Sequence, residues 1–344
     1  TLGNDTMNAF FFHPDEYRRL YNCSLVDPSE NAAKPNLILG FGYLTVGVVL
    51  EALYIPCLKV LWSPSMRRMS CFKLMFQLGI LDMCCLLVNS VITGYLAARG
   101  ARFCDYPNFI YVTGSIVLGL WCATCATSIT LGISRSIDFW SPTTMKTFFS
   151  GRRTYFWCAM PLVYGALIAW FTRAAIYSPY GHAWFFDPYY NMTNIKIDRT
   201  VFKNMPHSIN NTATVIIFFA LYIFLSFSVW WKSRKAMLHN RFLSEMQKQV
   251  IIQSCVICFF NLLAAFVYVY MQWFHTPDWL IVIGHATWIC CHGGAVVVYL
   301  TLNKTVQKEI LGLLRVTQTD PWNIPYVGTV MTSNVAPLPL NMCK

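Results

Sequence analysis

Charge is what this chain lacks. Only 12% of its 344 residues are charged and 56% are hydrophobic, against about 25% charged in soluble domains. That is too little charge to clothe a water-soluble globule, so a lipid bilayer is the solvent that fits. The scarcity is concentrated. From Tyr106 to Ser134 there is no Asp, Glu, Lys or Arg. At ~1.5 Å per helical residue this run exceeds the ~30 Å hydrocarbon core of a bilayer. Runs 154–172, 204–231, 249–277 and 279–303 also lack charge, and runs 35–58 and 74–98 hold one charge each, Glu51 and Asp82. In hydrocarbon the backbone must satisfy its own hydrogen bonds, so these runs predict helices. The expected fold is an all-α membrane protein, a seven-helix bundle.

Other absences narrow the function. No internal repeat and no paired broken segments of the transporter kind appear. There is no Gly-rich phosphate loop and no nucleophile–base set, so catalysis has no support and no cofactor is called for. Ala9 to Phe12 is too short an apolar core for a cleavable secretory signal. The net charge of +11 does not point to nucleic acid, because the cations cluster in short loops between apolar runs.

Those loops set the orientation. With the amino terminus outside, roughly two-thirds of the Lys and Arg residues lie inside, as the positive-inside rule requires. The glycosylation sequons at Asn4, Asn22, Asn191 and Asn210 then fall outside, and only that at Asn303 falls inside. Asn210 stands close to its helix. The expected organisation is an outer arm over 1–34, the bundle over 35–303, an amphipathic interfacial helix over 304–316 and a cytoplasmic tail over 317–344. Val306, Ile310, Leu311, Leu313 and Leu314 supply the apolar face of the interfacial helix. Pro56 is expected to bend or fray the first helix. The second outer loop is long and aromatic, with Trp184-Phe185-Phe186-Asp187-Pro188.

Most of the 14 cysteines lie inside apolar runs, where they act as small hydrophobes. Cys23 and Cys104 fall clearly outside. Oxidising surroundings favour pairing them, which would tie the arm over the mouth of the bundle; the alternative is two free thiols. Cys122-x-x-Cys125, Cys255-x-x-Cys258 and His285 with Cys290-Cys291-His292 look superficially like metal or redox motifs. Within apolar helices they read better as packing residues and interhelical hydrogen bonds.

Seven helices, an outer amino terminus and a short eighth helix resemble a G-protein-coupled receptor. Leu78-Gly79-x-x-Asp82, Arg135 near the inner end of the third helix, and Tyr299 followed by Asn303 resemble rhodopsin-like motifs. More specifically, the chain resembles the nematode serpentine receptor class T family of chemoreceptors. The match is carried by Tyr21-Asn22-Cys23-Ser24, Lys34-Pro35-Asn36, Leu53 to Leu58, Met75 to Asp82, Asn89-Ser90, Phe103 to Pro107, Trp184 to Pro188 and Tyr299 to Thr305. It runs from about Tyr21 to Arg315. The resemblance implies a multi-pass receptor of the plasma membrane, in sensory cilia, that binds an environmental small molecule and signals through a heterotrimeric G protein. The competing class is a transporter or ligand-gated channel; an inverted channel contradicts the charge bias and the sequons.

The departures are specific. Ser134, not an acid, precedes Arg135. Ala295-Val296 replaces the Asn-Pro of the rhodopsin-like seventh helix. The second outer loop has no cysteine, so no bridge joins it to the third helix.

The resemblance makes Asp82, Arg135, Tyr299 and Asn303 the expected signalling switch. It makes Asp82, with Thr124, a candidate sodium or proton site; the plainer reading is a hydrogen-bonded packing group. The plainer reading of Arg135 is a snorkelling arginine. Glu51 matches no such motif and is expected to pair with the second or seventh helix. A ligand pocket is expected to open outward between the third, fifth, sixth and seventh helices. By depth and chemistry its candidates are Tyr111, Ser115, Tyr268, Gln272, His285 and Trp288, which aromatic helix packing explains equally well.

Overall fold

The computed structural model describes residues 6–26, 35–192, 194–238 and 245–318. Seven long helical rods fill the expected runs. The first is α3, Leu37–Leu61. The second is composite: α4 (Ser70–Leu86), a π-helical segment Leu87–Ile92 and α5 (Thr93–Arg99). The rest are α6 (Pro107–Trp140), α8 (Arg153–Phe171), α9 (Met205–Leu238), α10 (Glu245–Trp273) and α11 (Asp278–Thr301). Local chemistry sets their ends. Asn36 Oδ1 accepts from Leu39 N at 3.0 Å to cap α3. Gly100, with φ of 60°, ends α5 in the left-handed conformation that favours glycine. Pro107 opens α6, where its missing N–H costs nothing.

Several helices outrun their charge-free stretches. Pro56 does not end the first helix, which continues to Leu61. In lipid, fraying would expose several backbone groups, whereas a proline forfeits one hydrogen bond. Arg135 lies inside α6 rather than at its end.

Phe156, Val163, Ile216 and Phe266 are each more than half exposed and supply a lipid-facing surface. The interior is closely packed and carries polar groups. Gly119 of α6 meets Gly165 of α8 so closely that a methyl on either would strike the other's backbone carbonyl. Gln77 Nε2 donates to Thr127 Oγ1 at 3.1 Å and to the Cys158 carbonyl at 3.0 Å, joining α4, α6 and α8.

On the inner side, α7 (Pro142–Phe149) is a short helix that the charge pattern did not reveal. The hydroxyls of Ser70 and Thr154 both donate to the Phe149 carbonyl and hold it against the bundle. The interfacial helix α12, Lys304–Gln318, is present. It turns Val306 and Ile310 inward, while Leu311 is 54% exposed and faces outward.

The outer arm is the largest departure. It folds into α1 (Met7–Phe12) and α2 (Pro14–Leu20) and buries Met7, Ala9, Tyr17 and Tyr21. Phe10 stacks on Tyr111 at 5.3 Å, and Tyr17 and Tyr21 meet it edge-on at 4.8 and 5.0 Å. Cys23 is disulfide-bonded to Cys104, with Cα atoms 5.6 Å apart. The second outer loop forms a hairpin, β1 (Ile176–Ser178) against antiparallel β2 (Ala183–Phe185), with Tyr177 opposite Trp184.

Asn4, Arg241 and residues 319–344 lie outside the described residues, as do the side chains of Lys248, Cys255, Cys258 and Leu314.

Candidate functional site

The hairpin positions an aromatic cavity at the outer end of the bundle. Trp184 is buried, and its indole Nε1 donates to Thr93 Oγ1 on α5 at 2.8 Å. This pins the hairpin over the helices. The π-helical turn below it frees a carbonyl: His285 Nε2 lies 2.7 Å from the oxygen of Asn89. A carbonyl only accepts, so His285 donates from Nε2. Its Nδ1 then accepts from the Tyr268 hydroxyl, 3.3 Å away.

Two chambers lie beneath the hairpin. The outer, about 330 Å³, is lined by Phe185, Tyr190, Lys203, Met271 and Gln272 among others. The inner, about 40 Å³, is lined by Leu118, Trp121, His207, Asn211 and Trp288 among others. Trp184, Phe186 and Tyr268 line both and form their common wall. The inner chamber has no charged residue in its lining. In the outer one, Arg199 is held by Asp187 Oδ2 at 2.7 Å and by the Tyr189 carbonyl at 2.7 Å. Lys203 Nζ sits 4.1 Å from the Trp273 ring centroid.

A hydrogen-bond chain leaves the inner chamber toward the cytosol. Trp288 Nε1 lies 3.1 Å from His292 Nε2. An indole N–H only donates, so His292 Nε2 accepts and its proton is on Nδ1. That nitrogen is 2.8 Å from Asp82 Oδ1. Asp82 Oδ2 is 3.0 Å from the Tyr54 hydroxyl, which also reaches the His292 carbonyl at 2.5 Å. Asp82, His292 and Tyr54 are all buried. Three crossings are thus joined through one carboxyl group.

At the inner end, Arg135 Nη2 lies 3.3 Å from Met75 Sδ on α4. Its charge is in electrostatic reach of Tyr299 and of Asp138, one turn further along α6. The acid that does not precede Arg135 therefore stands three residues after it.

The expected pocket residues divide. Tyr268, Gln272 and Trp288 line the chambers. His285 backs Tyr268 without lining either. Tyr111 is sealed beneath the arm and lines neither chamber. Ser115 donates to the Ala169 carbonyl at 2.7 Å and so faces α8. Both were expected in the pocket, and neither lines these two chambers.

Asp82 is held by His292 and Tyr54. Thr124 lies by the Cys85 thiol, and no hydrogen bond joins it to Asp82 among the described residues. The four-group cluster therefore matches the hydrogen-bonded packing reading more closely than a Thr124-assisted ion site. Glu51 stands near Cys84 of the second crossing, and its Oε1 has no hydrogen-bond partner. Asn303 is not drawn into the helix-7 cluster; its Oδ1 accepts from Val306 N at 3.1 Å and caps α12.

Asn191 is exposed on the outer loop with φ of 64°. Asn22 caps a short turn, accepting from Ser24 N at 3.0 Å. Asn210 is 7% exposed and its Oδ1 accepts from the Tyr164 hydroxyl at 3.0 Å. In the folded bundle Asn210 is thus a packing group between helices.

Tyr54, Trp121, Trp184, Phe186, His207, Asn211 and His292 were missed as site residues. One signal was present: Trp288 with His292, and His207 with Asn211, are four apart, a spacing that places two side chains on one helix face.

This arrangement is that of a G-protein-coupled receptor: seven helices, an outer amino terminus, a cavity under an outer hairpin and a buried polar core. The structure is similar to the crystal structure of squid rhodopsin, with a TM-score of 0.64 and 15% identity over 86% of this chain and 91% of that one. At that identity the likeness speaks for the fold alone. The model of the serpentine type 7TM GPCR chemoreceptor Srt family matches residues 6–321, so the chain belongs to that family. It is similar to serpentine receptor class T-55 of Caenorhabditis elegans, 24% identical over 305 residues, which cover 86% of this chain and 80% of that receptor.

Proposed function

We propose that this membrane receptor is a chemosensory receptor of the plasma membrane, in sensory cilia, that binds an environmental small molecule and activates a heterotrimeric G protein. The observation that carries this reading is the link between cavity and core. Trp288 lines the inner chamber and donates to His292, which holds Asp82 between the first, second and seventh crossings. A ligand against Trp288 would perturb a bond on which three helices depend. It shifts the receptor between helix arrangements only to the extent that it binds one better. Arg135, beside Tyr299 and Asp138, is the inner group whose contacts such a shift would change.

The test is a panel of volatile and water-soluble compounds applied to cells carrying a G-protein signalling reporter. The expected result is a saturable response that Arg135→Ala reduces about tenfold or more while surface expression is kept. Ligand-evoked current or uptake in cells without G proteins would overturn the reading in favour of a channel or transporter. Asn191 is proposed as a glycan site; an enzymatic deglycosylation shift that Asn191→Gln diminishes and Asn210→Gln does not is the expected gel result.

A further inference from the structure

On the inner side, α4 turns one stripe toward lipid between α3 and α8. Lys73, Phe76 and Ile80 stand three and seven residues apart, a spacing that puts them on one helix face. Ile80 is 40% exposed. Phe76 packs on Trp62 at the end of α3, with ring centroids 4.5 Å apart. Lys73 Nζ lies 4.5 Å from the centroid of Tyr155, in the first turn of α8. Trp62 and Tyr155 are both exposed. Aromatic rings at the ends of crossings mark the membrane–water interface, so this stripe runs from the acyl chains to the headgroups.

Cations gather where the stripe meets the interface. Lys73 Nζ donates to the Gly151 carbonyl at 3.3 Å, in the turn between α7 and α8. Arg152 and Arg153 follow in that turn and are exposed. Arg153 Nη1 donates to the Thr147 carbonyl of α7. On the α3 side, Arg67 Cζ lies 5.8 Å from the Trp62 ring centroid. The turn is held firmly: Trp157 Nε1 donates to the Phe148 carbonyl at 3.1 Å, and the Trp157 ring stacks on Phe149. Lys73 and Arg153 are thereby held at one turn, each with donors to spare. Among the described residues no carboxylate pairs with any of these four cations. Like charges held together repel, so a counter-charge from outside the chain would stabilise the group.

Snorkelling accounts for one lysine at a helix end, but not for three cations gathered at one turn. A cytosolic protein partner would meet Arg135 near the axis of the bundle, whereas Lys73 lies on the lipid-facing stripe. A headgroup with a single negative charge matches one cation of the group. A phosphate monoester carries about −1.5 to −2 charges, and its oxygens fit the guanidinium fork. Phe76, Ile80 and the exposed Phe156 offer apolar contact for the acyl chains beneath.

We infer that this inner seam binds an inner-leaflet lipid whose headgroup bears phosphate monoesters, a phosphoinositide, with the phosphates between Lys73, Arg152 and Arg153 and Arg67 flanking them. The site is distinct from the outer cavity and needs no assumption about what the receptor senses.

The experiment uses native mass spectrometry of the full chain in detergent. It is titrated with a phosphatidylinositol bisphosphate, with phosphatidylserine and with soluble inositol trisphosphate. The bisphosphate lipid is expected to bind about tenfold or more tighter than phosphatidylserine, since each Lys or Arg near an anionic headgroup adds attraction. Lys73→Gln is expected to cut that preference about fivefold, and Arg152→Gln with Arg153→Gln to cut it further. Lys73→Arg should keep it. Arg234, which lies 4.5 Å from the Trp230 ring at the inner end of α9, is the control: Arg234→Gln removes an equal charge elsewhere and should leave the preference unchanged. The preference compares two lipids on one protein, so a general loss of stability does not mimic the effect. Equal binding of the two lipids overturns the inference. So does an equal loss in Arg234→Gln, which would mean diffuse attraction rather than a site. Inositol trisphosphate binding as tightly as the lipid would make the ligand a soluble phosphate and remove the membrane from the proposal. Lipid binding unchanged in the Lys73 and Arg152/Arg153 variants, with G-protein activation reduced, would assign the seam to the protein partner instead.

Discussion

His292 Nδ1 lies 2.8 Å from Asp82 Oδ1, joining the seventh crossing to the second at a depth where neither group meets water. The tautomer is dictated from the other side of the ring by Trp288. Asp82→Ala leaves the His292 N–H without an acceptor, which costs about 1–3 kcal/mol. Asp82→Asn keeps an oxygen for His292 and a donor for Tyr54, and is expected to cost less. Thermal unfolding of the detergent-solubilised receptor measures both. Two variants as stable as the parent would remove Asp82 from the framework of the bundle.

The arm is held by a covalent bond and by aromatic contacts. Cys23 and Cys104 are 81 residues apart, so their bridge restricts a long loop of the unfolded chain. Cys23→Ser or Cys104→Ser is expected to lower stability by about 2–4 kcal/mol. The double variant should match either single one, because both remove the same bond. Calorimetry or a thermal-shift assay reads this; additive losses would mean that the cysteines act separately.

Glycine marks one close approach that a methyl cannot share. A Cβ on Gly114 of α6 would collide with the backbone carbonyl of Ala175, just before the hairpin. Gly114→Ala is expected to cost about 3 kcal/mol through overpacking and to reduce surface expression. Gly312 on α12 faces open space. Gly312→Ala should instead stabilise that helix by about 1 kcal/mol. Circular dichroism and surface staining of the pair test the contrast.

His182 makes the outer hairpin sensitive to acid. Its Nε2 lies 3.3 Å from Asn36 Nδ2 at the start of α3. Burial pushes its pKa below the ordinary histidine value, and Asp278 offsets this in part. The unfolded segment then binds a proton more readily than the folded one. The stability contributed is present above the ordinary value and is lost as pH falls through the depressed one. Hydrogen exchange over 176–185 is expected to quicken on acidification in the parent. The change should be smaller in His182→Asn, a residue that tolerates the positive φ of 48° there. Identical pH profiles would assign the effect elsewhere.

The seven crossings were legible because lipid imposes a rule that a chain cannot evade: a stretch without charge and long enough to span must be helical. Orientation was legible from the same scarcity, through the placement of the few cations. Trp288, Tyr268 and Gln272, chosen by depth and chemistry, line the chambers. Tyr111 and Ser115, chosen in the same way, face the arm and α8 instead. A helix that is apolar all round gives no periodicity to say which face turns inward, so its rotation about its own axis was not readable. The arm hid its purpose for a different reason. Tyr17 and Tyr21 sit among charges, and only the presence of Tyr111 beneath them makes them core.

By itself the order of residues determined how often this chain crosses the membrane, which end lies outside and which cysteines meet in an oxidising space. These follow from length, charge and compartment, each local or additive along the chain. Tertiary structure alone decided that Asp82 is held by His292 and Tyr54, and that Trp184 is pinned to Thr93. Those facts depend on residues 28 to 210 positions apart. Hydrogen bonds are directional over about 3 Å, so only packed helices, with their rotations settled, can decide which groups find partners.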